Sequence, residues 1–261
     1  MRDYERCFRC GATEHHVKFL TFEDRPSSSP FIERVWRCHS AGGGTFYSMA
    51  EGNLELVVTR LEGLTLVTLR GPVSQAMPVQ CPANGQWLAI RFRMGVYFPS
   101  LPTVALMNHD DAAIPMARDG KFWFDGRRWE IPNYWNAEAL VDKLARAGSI
   151  SLESTIPAAI EGDPQLVSLR SVQRRFLRVT GMTHARFRQI ERARYAAKLL
   201  QAGTDILDVV QRASYFDQAH LTRSVRHLVG RTPASLIRDE VQLSFSYPAE
   251  PFKPDFTLCR P

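Results

Sequence analysis

Apolar and polar residues alternate along 53–71. Leu54, Leu56 and Val58 interleave with Glu55, Val57 and Thr59, and Leu64, Leu66 and a β-branched run follow. A period of two belongs to strands, and the Glu62-Gly63 pair between the two runs predicts a hairpin. Residues 86–95 alternate again, with Leu88, Ile90 and Phe92 on one predicted face and Arg91 and Arg93 on the other. Prolines at 72, 78, 82, 99, 102, 115 and 132 keep the predicted strands short. An antiparallel sandwich or barrel fits this stretch. Residues 1–45, with SSSP at 27–30 and AGGG at 41–44, read as irregular.

The period lengthens near residue 136. Asn136 stands where it would cap a helix to Ala147, with Leu140, Val141 and Leu144 apolar and Gly148 as its stop. Residues 155–162 make a short candidate helix before a Gly-Asp-Pro turn. Ser168 then caps a helix ending at Gly181, with Leu169, Val172, Phe176 and Val179 as one apolar stripe. Its other face carries Arg170, Gln173, Arg174 and Arg178. From Thr183 to Gly203 a longer helix sets Phe187, Ile190, Ala197 and Leu200 on one side, interrupted by Arg194. Thr204 is placed to cap the next helix. After a turn at 213–216, Asp217 caps another, with Leu221, Val225 and Leu228 inward and Gln218, Ala219, Thr222 and Arg223 outward. Thr232-Pro233 starts the last helix, and a tail with four prolines follows from 242.

Charge sharpens this division. The net charge is +6, and residues 151–245 hold 14 Lys/Arg against 9 Asp/Glu, whereas 1–150 hold 17 against 16. Excess positive charge on a helical segment suits a polyanion, because each neutralised phosphate releases a counterion. Arg and Gln are also the side chains that pair bidentately with guanine and adenine edges in the major groove.

QRRFLRVTG, then SYFDQAHLTRSVRHLVGRTPASL, resemble the DNA-binding domain of the AraC/XylS family of bacterial transcription regulators. The blocks R-F-x-x-x-T-G, Y-F-D-Q-A-H-L-T-R and G-x-T-P occur in the family's order. The resemblance covers roughly 155–240. It implies two helix-turn-helix units joined by a long helix, with recognition helices in successive major grooves. It implies base contacts by Arg170, Gln173 and Arg174 in the first unit and by Gln218, Ala219 and Arg223 in the second, with Arg178 and His220 as further DNA-binding residues. Ser214 stands where the family has glycine, and Val225 where it has an aromatic. The implied partners are double-stranded DNA, RNA polymerase, a small-molecule effector and a second copy of the chain.

The expected fold is therefore α+β by domain. A β-rich sensor or dimerisation module, cupin-like by family analogy, spans 1–135, and a linker helix spans 136–150. The helix-turn-helix domain spans 151–241, and the tail 242–261. Phe122, Trp123, Trp129 and Trp135 are the candidate ligand-binding residues of the first module. Cys7-x-x-Cys10, with His15, His16, Cys38 and His39, offers an alternative metal- or redox-sensing reading, although one CxxC supplies only two of the four ligands zinc takes. The default is free thiols, with no metal and no cofactor. A β-barrel enzyme with a vestigial DNA-binding domain is the other alternative, but the chain holds no G-x-S-x-G elbow and no P-loop. The charged N-terminus lacks a secretory apolar segment, no apolar run approaches about 18 residues, and a cytoplasmic protein with no membrane partner is expected.

Overall fold

The computed structural model describes residues 13–17, 19–109, 111–117, 119–161 and 168–238. Strands fill the first half and helices the last third. The strands are β1 (Thr13–Val17), β2 (Leu20–Pro26), β3 (Ile32–Ser40), β4 (Gly44–Ser48), β5 (Glu55–Leu61), β6 (Leu64–Arg70) and β7 (Met77–Cys81). There follow β8 (Gln86–Phe92), β9 (Val96–Tyr97), β10 (Ala112–Ile114), β11 (Lys121–Phe124) and β12 (Arg127–Glu130). Beyond them come α1 (Ala137–Arg146), β13 (Ser151–Leu152), α2 (Thr155–Glu161), α3 (Leu169–Thr180), α4 (His184–Gln201), α5 (Ile206–Arg212), α6 (Gln218–Val229) and α7 (Pro233–Arg238).

Seven strands form one antiparallel sheet in the order β1-β2-β3-β8-β5-β6-β10. It is an open sheet with β1 and β10 at its edges, not the closed cupin-like barrel expected by analogy. The Glu62-Gly63 hairpin forms as predicted, with φ of 51° and 80° at the two turn residues, as a two-residue type I′ turn requires. Residues 1–45 were expected to be irregular, yet they hold β1, β2 and β3. Their alternation is masked by charge: Glu23 and Arg37 pair across neighbouring strands, as do Asp24 and Arg34.

The sheet is covered on both faces. One face packs Ile32, Val35, Leu56, Val58, Leu88, Ile90 and Phe92 against Phe122 and Trp129 of the β11–β12 hairpin and Leu140, Val141 and Leu144 of α1. The other buries Leu20, Phe22, Trp36, Val57, Cys81 and Ala89, with β7 contributing Cys81. Arg91, expected on a polar face, is therefore buried at 1% exposure. Its guanidinium donates to Glu51 at 2.5 Å and to Asn53 at 3.0 Å, with Glu55 at 3.6 Å and Glu33 at 3.5 Å. A buried charge persists only when paired and hydrogen-bonded in this way.

Asn136 precedes α1 but does not cap it. Its Oδ1 accepts from the Asn133 amide at 2.7 Å instead. Gly148, at φ 75°, ends that segment as expected. The helical core joins Phe176, Val179, Phe187, Ile190, Ala197, Leu200, Leu221, Val225 and Leu228, and it also takes in Met49 and Ala50 from the β4–β5 connection. The helical core thus takes in apolar residues of the strand-rich half. No described helix is long and apolar enough to cross a membrane.

Candidate nucleic-acid interface

Helix α3 forms for the reasons its sequence suggests. The Ser168 hydroxyl accepts from the Ser171 amide at 3.3 Å, and Gly181 closes the helix at φ 73°, a left-handed conformation that costs glycine little. Val172, Phe176 and Val179 are buried, but Leu169 is 39% exposed, so the apolar stripe starts one turn later than expected. Arg170, Gln173, Arg174 and Arg178 all lie on the exposed face. In α2, Pro157 sits in the first turn, where a missing N–H removes no helical bond.

Helix α6 repeats the arrangement. The Asp217 carboxylate accepts from the His220 amide at 2.6 Å, and Gly230 ends the helix at φ 79°. Leu221, Val225 and Leu228 face inward, while Gln218, Ala219 and Arg223 are exposed. Thr222 is half-buried, its hydroxyl donating to the Gln218 carbonyl at 2.8 Å. His220 is also half-buried and stands edge-on to the Tyr215 ring at 5.1 Å, a packing contact beside the exposed face.

The supporting elements fix these helices. Thr183 caps α4, whose 18 residues lie between the two units. Asp205, not Thr204, caps α5, with Oδ1 accepting from Leu207 N at 2.8 Å. The Thr204 amide closes the end of α4 on the Leu199 carbonyl at 3.0 Å. Thr232 caps α7 through Ser235 N at 3.2 Å. Ser214 adopts φ 55°, the conformation that the family's glycine would take without strain. That turn sends Tyr215 into the core and leaves Phe216 91% exposed, immediately before the cap of α6. Reasoning from sequence did not single out Phe216. The available signal was an aromatic just ahead of a cap, next to a tyrosine already filling the core.

The exposed arginines differ in engagement. Among the described residues Arg170, Arg174 and Arg223 have no carboxylate within ion-pair reach. Arg178 lies 3.7 Å and Arg175 3.5 Å from Glu153. Hydrogen bonds from Thr155, with those two arginines, hold the Glu153 carboxyl below its usual range. Burial and the neighbouring Arg188 pull His184 down to about 4, so it is neutral near pH 7.

The far ends of both helices rest on the strand-rich half. The Leu228 carbonyl accepts from Ala50 N at 2.8 Å, and the His227 carbonyl from Ala76 N at 3.0 Å. These are last-turn acceptors of α6 that lack partners within their own helix. Gly230 packs on Tyr47, whose ring also lies 4.9 Å from the Arg231 guanidinium. Gly181, after α3, abuts Thr103 and Val104.

Of the four aromatics expected around a ligand, Phe122 and Trp129 are a cross-strand pair in the sheet core. Trp123 is exposed beneath Arg128. Trp135 alone of the four lines a hollow of about 400 Å³ at the end of the sheet. Cys7 and Cys10 lie outside the described residues. Cys38 is a free, buried thiol that burial and nearby Cys81 push up to about 12. Among the residues whose placement is described there is no group of three His, Cys, Asp or Glu arranged to hold a metal ion.

Two comparisons bear on these helices. Residues 166–239 match the family model of a helix-turn-helix domain, a span holding α3 to α7. Comparison with curated proteins finds no match to the chain.

Proposed function

We propose that this chain is a DNA-binding transcription regulator of the AraC/XylS type, a reading that its helix-turn-helix domain at 166–239 supports, and that it reads a specific double-stranded sequence with α3 and α6 in successive major grooves. The observation that carries this reading is the pairing of two capped helices, α3 and α6, each exposing a face with uncompensated arginine and with glutamine. Arg170, Gln173, Arg174, Gln218 and Arg223 meet base edges, while Arg178 and His220 stand nearer the backbone. Ala219 offers a small apolar contact of the kind a thymine methyl accepts. Phe216 extends that apolar edge.

Control comes from the strand-rich half, which takes a small molecule and provides the contact between two copies of the chain. The physical route is a population shift. A ligand that binds one arrangement of the shared joint more tightly raises the share of molecules able to dock both helices. The protein acts in the cytoplasm, where its DNA and RNA polymerase are.

The test is fluorescence anisotropy on duplexes that the full chain selects from a random-sequence pool, at several salt concentrations. Enrichment of one sequence and a steep fall of affinity with salt are expected. Sequence-indifferent binding at every salt concentration overturns the reading. Arg174→Ala and Arg223→Ala are each expected to relax preference at one base position by ~1–3 kcal/mol. If both variants keep full specificity, the groove assignment is wrong.

A further inference from the structure

The turn between α5 and α6 is pinned from several sides. The Ser214 amide donates to the Gln211 carbonyl at 3.0 Å and the Tyr215 amide to the Val210 carbonyl at 2.8 Å. From α4, Arg192 donates to the Ser214 carbonyl at 3.4 Å and holds its guanidinium 4.5 Å from the centre of the Tyr215 ring. The Tyr215 hydroxyl lies 3.0 Å from that of Ser224, and the residue is buried. Side chains cannot exchange places in so fixed a turn. With Tyr215 filling the core, Phe216 is kept outward, the most exposed large apolar residue among those described.

A single exposed apolar residue is ordinary on a protein surface. What surrounds Phe216 gives it meaning. It stands directly before Asp217, the cap of α6, and leads into the first turn of that helix. Three residues on, Ala219 is exposed and brings no side-chain donor or acceptor, and Arg223 lies one turn further along the same face. Arg212, in the last turn of α5, is exposed as well. Among the described residues neither Arg212 nor Arg223 has a carboxylate within ion-pair reach. The one carboxylate next to the ring in the chain, that of Asp217, is engaged by the His220 amide.

An apolar surface bordered by uncompensated cations suits a polyanion that itself carries apolar groups. Duplex DNA is one, and the apolar group that a base edge offers in the major groove is the C5-methyl of thymine. We infer that Phe216 covers a thymine C5-methyl, with Ala219 beside it, so that α6 selects one base position by a methyl group and not by hydrogen bonds. This deepens the proposal that α6 enters the major groove and rests on that reading. It also has a consequence of its own. A position read in this way accepts any pyrimidine that carries the methyl, so 5-methylcytosine is tolerated where cytosine is not.

The test uses the full chain and the duplexes it selects from the random-sequence pool, with each thymine replaced in turn by deoxyuridine, which lacks only the methyl. Anisotropy titration is expected to find a thymine whose replacement weakens binding about fourfold, the effect of returning one methyl to water. At that position 5-methylcytosine should bind about fourfold more tightly than cytosine. Phe216→Ala should abolish both differences and leave the melting temperature unchanged, because the exposed ring contributes little packing. Specific binding in which no thymine responds to loss of its methyl overturns the inference but spares the reading of α6, and is the result expected of a ring kept for a protein partner. A methyl effect that survives Phe216→Ala also overturns it, since another side chain then makes the contact. Binding without sequence preference sinks both.

Discussion

Ser214 holds its backbone at φ 55°, where a side chain with a Cβ is strained by about 1–2 kcal/mol. The strain is retained because the turn must place Tyr215 inward and Asp217 at the cap of α6. Ser214→Gly should relieve it and raise stability by ~0.5–1 kcal/mol after the glycine's larger entropy cost in the unfolded chain. A thermal melt reads this, and Ser214→Ala should show no gain. A second residue-scale consequence lies at Glu55. Burial and Glu51 push its carboxyl up to about 7 against an ordinary 4.5, although Arg91, Arg70 and the Trp36 indole oppose the shift. A group bound more tightly to its proton when folded stabilises fully below 4.5, and that contribution is lost as pH rises through 7. His184 works the other way: its contribution is present above 6.5 and lost as pH falls through 4. Above 6.5, Glu55 is the one of these two still titrating, so the melting temperature should fall between pH 6.5 and 8. Glu55→Gln should flatten that fall. A melt series that keeps its slope in the variant refutes the assignment.

At the scale of elements, legibility followed how local the signal was. Caps at Ser168, Asp217 and Thr232 and stops at Gly148, Gly181 and Gly230 were readable because a cap, its stripe and its glycine lie within one short stretch. The cap of α5 was displaced by one residue, from Thr204 to Asp205, whose carboxylate reaches the Leu207 amide. Strands β1 to β3 were not readable, since their outward positions carry charges whose partners lie on neighbouring strands. Arg91 looked like a surface residue for the same reason. Its partners Glu51, Asn53, Glu55 and Glu33 lie dozens of positions away in the chain, and no periodicity reports them. The faces of α3 and α6 were legible at most positions, but Leu169, expected inward, is exposed and Thr222, expected outward, is half-buried. The hollow under Tyr134 and Trp135 was legible only at Trp135, because a concavity is made by four strands that no window of sequence spans.

For the molecule as a whole, the telling feature is the joint between halves. Gly52 sits where an added Cβ would meet the Phe187 ring at 2.9 Å, and Met49 and Ala50 belong to the helical core. The wild-type chain should therefore unfold in one cooperative step. Gly52→Val, which forces Phe187 away at a cost of about 1–3 kcal/mol, should split it in two. All five tryptophans lie at or before residue 135, so their emission follows the strand-rich half while ellipticity at 222 nm follows the helices. In urea the two signals should coincide for wild type and separate for the variant. Coincidence in both would mean the joint does not depend on this contact.

The two amides of Ala50 and Ala76 that close the last turn of α6 bear on how such a protein can change over evolutionary time. A helix whose own carbonyls are satisfied by another part of the chain is not a freely exchangeable module. A recombination event that joined 166–239 to a different N-terminal half would strip the helical core of Met49 and Ala50 and leave two acceptors to be rematched. If α3 and α6 read DNA as proposed, new specificities are more accessible by point substitution on their outer faces than by shuffling of whole domains.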